Sequence, residues 1–226
     1  LISGFPNASA ELKGVTLAGS LDDELLKAEE VAFRFGLFSL FGEEIKARSV
    51  VIKNGRLIIV QSDRTGKTNY DIAKMPEEQE TLPEEESSMR LSLERAVLEN
   101  VELGYLDVPA KQQVRVVVKS GVLSGDFSST QFTLRSEAEL FSKFVEMEGT
   151  RYARNKNLGY DADIRIDLEK GRYDMKDVQL QVEDTRFQVQ GYLQQKGATL
   201  DMDLAVEARQ GSLRSITALL PPDFFK

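Results

Sequence analysis

The stretch "YDADIRIDL" (Tyr160 to Leu168) constrains the fold more than any other part of the chain. Tyr160, Ala162, Ile164, Ile166 and Leu168 fall on one parity, and Asp161, Asp163, Arg165 and Asp167 on the other. Successive side chains of an extended backbone point to opposite faces, so this spacing predicts a strand with one apolar and one polar side. "ATLDMDLAVEAR" repeats the pattern, with Ala198, Leu200, Met202, Leu204, Val206 and Ala208 in phase. Shorter versions occur at Val31, Phe33 and Phe35, at Val178, Leu180 and Val182, and at Phe187, Val189 and Leu193. Turn residues separate these runs. Asn54-Gly55 reads as a two-residue hairpin between "RSVVIK" and "RLIIVQ", because such a turn takes positive φ at both central positions. "KSGV", "EKGRY" and "QKGAT" read as further glycine turns. Strand following turn in this way argues for antiparallel meanders rather than βαβ units.

Only two stretches look helical: Gly36 to Glu44, and a C-terminal run capped by Ser212 and stopped by Pro221-Pro222. Between Met75 and Ser88 lie two prolines and six glutamates (Glu77, Glu78, Glu80, Glu84, Glu85, Glu86) without a basic residue, which predicts a solvated linker. The expected organisation is a first β unit over 1–74, an acidic linker over 75–88, a second β unit over 89–211 and a short helix over 212–226. The strands then pose a problem of cover. Each has an apolar face, and little helix is available to bury it. A second sheet, another chain or an apolar ligand must do so.

Composition removes several classes of chemistry. The 226 residues include no histidine, cysteine or tryptophan. Histidine- or cysteine-based nucleophilic triads and imidazole or thiolate zinc sites are therefore excluded. A net charge of −8 disfavours a nucleic-acid partner. No apolar run approaches the roughly 20 residues of a membrane-spanning helix. The opening "LISGFPNASA" lacks a methionine, so the chain reads as a piece of something longer.

Three motifs invite a catalytic or binding reading. Gly66-Lys67-Thr68 matches the end of a phosphate-binding loop, but Gln61 stands where that motif has its first glycine, and Pro76 interrupts any following helix. It reads as a turn. The pairs Asp161/Asp163 and Asp201/Asp203 put two carboxylates on one strand face, as calcium binding or acid–base work would need. Alternation alone accounts for them as the solvent side of a strand. No serine–lysine arrangement sits at a strand-to-helix turn, so no enzyme, cofactor or metal is expected.

Two parts of the chain resemble the AsmA-like proteins of Gram-negative bacteria, in the form common in Bacteroidetes. "FPNASAELKGVTL" is similar to that family's opening strand, and the stretch from Leu25 to Lys74 to its order of strand, short helix, hairpin and final turn ending in Asn69-Tyr70-Asp71-Ile72. The stretch from Met147 to Phe225 resembles a middle segment of those proteins. The resemblance implies a mainly β protein with a few short helices, built as a curved antiparallel sheet of the repeating β-groove type. It further implies a periplasmic place, an inner-membrane anchor absent from this chain, and a non-enzymatic part in phospholipid transport and outer-membrane biogenesis. Phospholipid or another acyl-chain ligand is the implied partner, together with envelope proteins. The expected lipid-facing residues are Val31, Phe33, Phe35, Ile164, Ile166, Leu180, Val189, Leu200, Met202 and Leu204. A structural or interaction β-sandwich that scaffolds the envelope without binding lipid is the rival expectation.

Overall fold

The alternating runs form strands because β-branched and aromatic residues on one parity pack against their cross-strand neighbours while charged residues on the other stay in water. The computed structural model describes residues 7–21, 23–36, 47–62, 67–70, 93–127, 129–196 and 199–210. They contain β1 (Asn7–Ala18), β2 (Glu24–Gly36), β3 (Ala47–Gln61), β4 (Arg95–Asp107), β5 (Gln112–Ser124), β6 (Gln131–Met147), β7 (Thr150–Tyr152), β8 (Lys156–Asp167), β9 (Arg172–Val182), β10 (Thr185–Lys196) and β11 (Thr199–Gln210). All eleven join one curved sheet that does not close on itself. The order is β1-β2-β3-β4-β5-β6-β8-β9-β10-β11, with the short β7 in line with β8 against the end of β6. No helix occurs among the described residues. The helices expected near 36–44 and 212–226, and the acidic linker over 75–88, lie outside them, apart from Gly36, which ends β2.

Every pairing is antiparallel except β3 with β4, where Ser49 to Gln61 run alongside Arg95 to Asp107 in the same direction. A parallel pair needs a crossover of a dozen residues or more, and the chain between Gln61 and Arg95 is long enough to supply it. The sheet therefore continues from the 1–74 unit into the 89–211 unit.

Asn54-Gly55 is not a hairpin. β3 passes straight through it, pairing with β2 on one side and β4 on the other. Only Asn54 has a positive φ (50°), whereas the tight hairpin turn needs two such residues in succession. Lys119-Ser120-Gly121, also read as a turn, lies inside β5. Both belong to one larger feature. Gly14, Glu29, Asn54, Asn100 and Lys119 stand in line, one per strand from β1 to β5, and each drops out of the pairing register. Gly14, Asn54 and Asn100 adopt the left-handed conformation (φ 62°, 50° and 53°), which glycine and asparagine tolerate better than other residues. The Asn54 amide donates to Glu29 Oε2 at 2.8 Å, and the Asn100 amide donates to Asn54 Oδ1 at 2.9 Å.

An extra residue in a strand inverts the parity of everything after it. Because five adjacent strands insert one at the same level, the register survives and the apolar phase is carried across the bend. In β3 the apolar parity is Val50 and Ile52 before Asn54, then Gly55, Leu57 and Ile59 after it. Gly55 has a second reason to be glycine. A Cβ there would stand 2.7 Å from the Lys27 carbonyl oxygen and 2.9 Å from Ala28 Cβ.

The turn read at Glu169 to Gly171 does join β8 to β9, with Gly171 at φ 57°. The glycine of "QKGAT" lies outside the described residues, although Lys196 pairs with Thr199 across it.

Candidate functional site

Following the register from strand to strand identifies which residues share a side of the sheet. Val31 stands opposite Leu12 and Ile52, Ile52 opposite Leu98, and Leu98 opposite Gly121. The same face continues through Ala138, Tyr160, Leu180 and Phe187 to Ala208 in β11. Away from the terminal residues of the strands, this face carries no charged side chain. Away from those ends its non-hydrocarbon interruptions are serine, glycine and Gln195, apart from the tyrosines and Met175 and Met202. Ser142 at its centre has a fully buried hydroxyl with no hydrogen-bond partner among the described residues.

The register puts all ten residues expected to face lipid on this one side. Val31, Phe33 and Phe35 succeed one another in β2, and the two phenylalanine rings stack 6.4 Å apart. Ile164 and Ile166 in β8 stand opposite Leu134 and Phe132. Leu180 in β9 pairs with Tyr160 and Phe187, and Val189 in β10 with Val178. In β11, Leu200, Met202 and Leu204 hold the positions opposite Gln195, Leu193 and Gly191. The ten do not form one patch. Val31, Phe35, Ile166 and Val189 are buried, whereas Leu180, Met202 and Leu204 are exposed. Ala162, Val178 and Val189 form a buried cluster across β8, β9 and β10, against which Tyr160, Ile164 and Met175 pack. Burying a valine-sized side chain contributes about 1.5–3 kcal/mol, so these central residues hold the sheet together as well as lining it.

Sequence reasoning missed the same face on β3, β4, β5 and β6, where Ile52, Leu57, Val101, Leu103, Val116, Val118, Leu134 and Leu140 belong to it. A signal was present. In "AVLENVELGYL" the apolar parity runs Ala96, Leu98, then Val101, Leu103, Tyr105, two alternating runs one residue out of step with an asparagine at the joint.

The opposite face is charged. Glu102 accepts from Lys143 Nζ at 2.9 Å and lies 3.4 Å from Arg115 Nη1. The Lys143 hydrogen bond, aided by the Arg56 and Arg115 charges, holds its carboxyl below the usual glutamate range despite partial burial. Lys53 bridges Glu30 at 2.8 Å and Glu99 at 4.0 Å, and the Glu30 bond raises its pKa. The paired aspartates sit on this side too. Asp161 and Asp163 are exposed, with Asp163 3.7 Å from Arg135 Nε, and Asp201 is tied to Lys196 at 2.9 Å. Asp167 accepts the Lys170 backbone N–H at 3.0 Å, which lowers its pKa and makes it a turn cap. Among the described residues no three acidic side chains converge as a metal site would require.

The look-alike phosphate loop has a structural task. Ser62 N–H donates to the Lys67 carbonyl at 3.0 Å, and Gln61 bridges Thr68 antiparallel, so the chain doubles back here. β2 stops pairing with β3 at Leu57, leaving the edge of Ile58 to Val60 open. Asn69, fully buried, takes over. Its backbone N–H donates to Val60 C=O, its side-chain oxygen accepts from Val60 N–H, and its amide donates to Ile58 C=O. Further bonds to Asp23 Oδ2 and from Ser20 N–H lock the β1–β2 turn onto the same patch. Thr68 is buried within it, not poised to hold a phosphate or a metal ion.

No family model, curated protein or solved structure matches this chain.

Proposed function

We propose that the chain is a non-enzymatic lipid-binding or lipid-conducting sheet of the AsmA-like kind. It acts in the periplasm in phospholipid transport and outer-membrane biogenesis, held at the inner membrane by an anchor. One observation carries the reading: an uncharged face passes through ten paired strands, and all the described strands lie in its own sheet, so none of them covers it. Acyl chains are the ligand chemistry that matches such a face. They ask for no hydrogen bonds, and uniform hydrocarbon walls change their free energy little from one site to the next. The exposed side chains of β11 extend that surface to the last of the described strands.

The test is organic extraction of the full chain purified from Gram-negative cells, followed by lipid analysis. The expected result is bound phospholipid, lost in a Met202→Asp, Leu204→Asp double variant that retains its circular dichroism spectrum. Absence of lipid, together with unfolding of that double variant, would overturn the reading in favour of a scaffold whose face is packed against protein.

A further inference from the structure

The two ends of the sheet differ. At the end where β3, β4 and β6 finish, three large hydrophobic side chains stand out in solvent: Tyr70 (54% exposed), Val108 (50%) and Met147 (48%). The opposite end offers Leu168 (53%) and the less exposed Tyr173 (37%) among the described residues. The three belong to adjoining tips. Val108 N–H donates to the Gln61 carbonyl at 3.0 Å, and Glu148 N–H to the Lys111 carbonyl at 3.0 Å, which stitches the end of β3 to the β4–β5 turn and that turn to the β6–β7 turn.

Cations accompany them. Lys67, Lys111 and Arg154 are exposed on the same tips, and none forms an ion pair with a described residue. Arg151 is already engaged, by Glu146 at 2.6 Å and by the Phe144 ring. At the other end Arg48, Lys170, Arg172 and Lys196 are each held by a carboxylate, and Arg95 there is exposed without an ion pair to a described residue. Cations without an ion pair among the described residues, set around protruding apolar side chains, are what an anionic bilayer surface accepts. The apolar tips enter the headgroup layer, a tyrosine suits the polar boundary, and lysine and arginine meet lipid phosphates. A chain of net charge −8 has no general reason to approach such a surface, so local charge must do the work.

We infer that this end of the sheet docks on an anionic lipid surface through Tyr70, Val108 and Met147, with Lys67, Lys111 and Arg154 supplying the attraction. The docking does not depend on acyl chains occupying the sheet face, and different measurements report the two. The full chain is floated with phosphatidylcholine vesicles, with or without about 30 mol% phosphatidylglycerol, an anionic fraction that gives a substantial surface potential. It rises with the anionic vesicles and not with the neutral ones. Lys67→Glu, Lys111→Glu and Arg154→Glu together reduce binding by roughly fivefold or more per cation, while Lys170→Glu with Arg172→Glu leaves it unchanged. Because the chain has no tryptophan, Val108→Trp provides a single fluorophore whose emission shifts to the blue and is quenched by brominated lipid. Leu168→Trp shows neither effect. Failure to float with anionic vesicles, an equal loss from the Lys170/Arg172 variant, or an unmoved Val108→Trp spectrum overturns the inference. Bound lipid on extraction without vesicle docking would leave the sheet-face reading standing and this one refuted.

Discussion

Val189 in β10 and Val206 in β11 are the same residue, directly paired, on the same face of the same sheet, yet one is 6% exposed and the other 62%. The centre of the face and its edge differ in neighbours and not in chemistry. Val189 has β9 on one side and β11 on the other. Val206 has β10 alone among the described strands. Among the described strands there is no second layer, so burial comes from the side, and the side chains that flank a residue within the sheet decide how dry it becomes. The same alternating pattern can therefore be core in one strand and open surface in another.

The severest break in that contrast is deletion of Asn100. Removing one residue from the aligned bulges inverts the parity of the rest of β4, turning Val101, Leu103 and Tyr105 outward and Glu102 onto the apolar face. The protein is expected not to fold cooperatively, as read by loss of the urea unfolding transition. Asn100→Gly should retain the fold, whereas Asn100→Ala should cost about 1–2 kcal/mol for a left-handed alanine. A deletion that leaves the transition unchanged would show that the bulge row does not set the face.

Next in size is a matched pair of charges. Val178→Asp in the central cluster leaves an unpaired buried carboxylate and should destabilise by about 3–5 kcal/mol in urea unfolding. Val206→Asp, on the same face at the edge, should cost less than about 1 kcal/mol because that side chain already meets water. Equal costs would mean that something covers β11 as thoroughly as β8 and β10 cover β9.

The smallest effect is on the charged face. Glu102 has a folded-state pKa below its ordinary value of 4.5, so the stability it contributes is complete above that value and is lost as the pH falls through the lower, folded one. Glu102→Gln should therefore flatten the acid limb of stability below pH 4.5 while leaving the shape of the curve above it unchanged. An acid limb identical to that of the parent protein would remove the Lys143–Glu102–Arg115 network from the account of what holds β4, β5 and β6 in register.

Much of the fold was legible because alternation is a local property. "YDADIRIDL" and "DMDLAVEAR" each reveal a strand and its apolar side without reference to the rest of the chain. Asn54-Gly55 misled for a related reason: a left-handed asparagine starts a hairpin and also makes a bulge, and the two differ only in whether strands pair on both sides of it. The parallel junction of β3 and β4 had no local mark either, since it depends on where a long connection returns the chain. Asn69 was noticed as part of a resemblance. Its task in closing the open edge of β3 became visible only once β2 was seen to stop at Leu57.

The sequence by itself determined that the protein is built of strands, which residues share a side within each unbroken alternating run, and that histidine and cysteine chemistry are absent. Those follow from the two-residue repeat of an extended backbone and from composition. Tertiary structure alone decided that the strands make one open sheet, that five bulges align to keep its apolar face in phase, and that this face is dry at Ala162, Val178 and Val189 and open at β11. These depend on which strands become neighbours, and neighbours are chosen by contacts far apart along the chain.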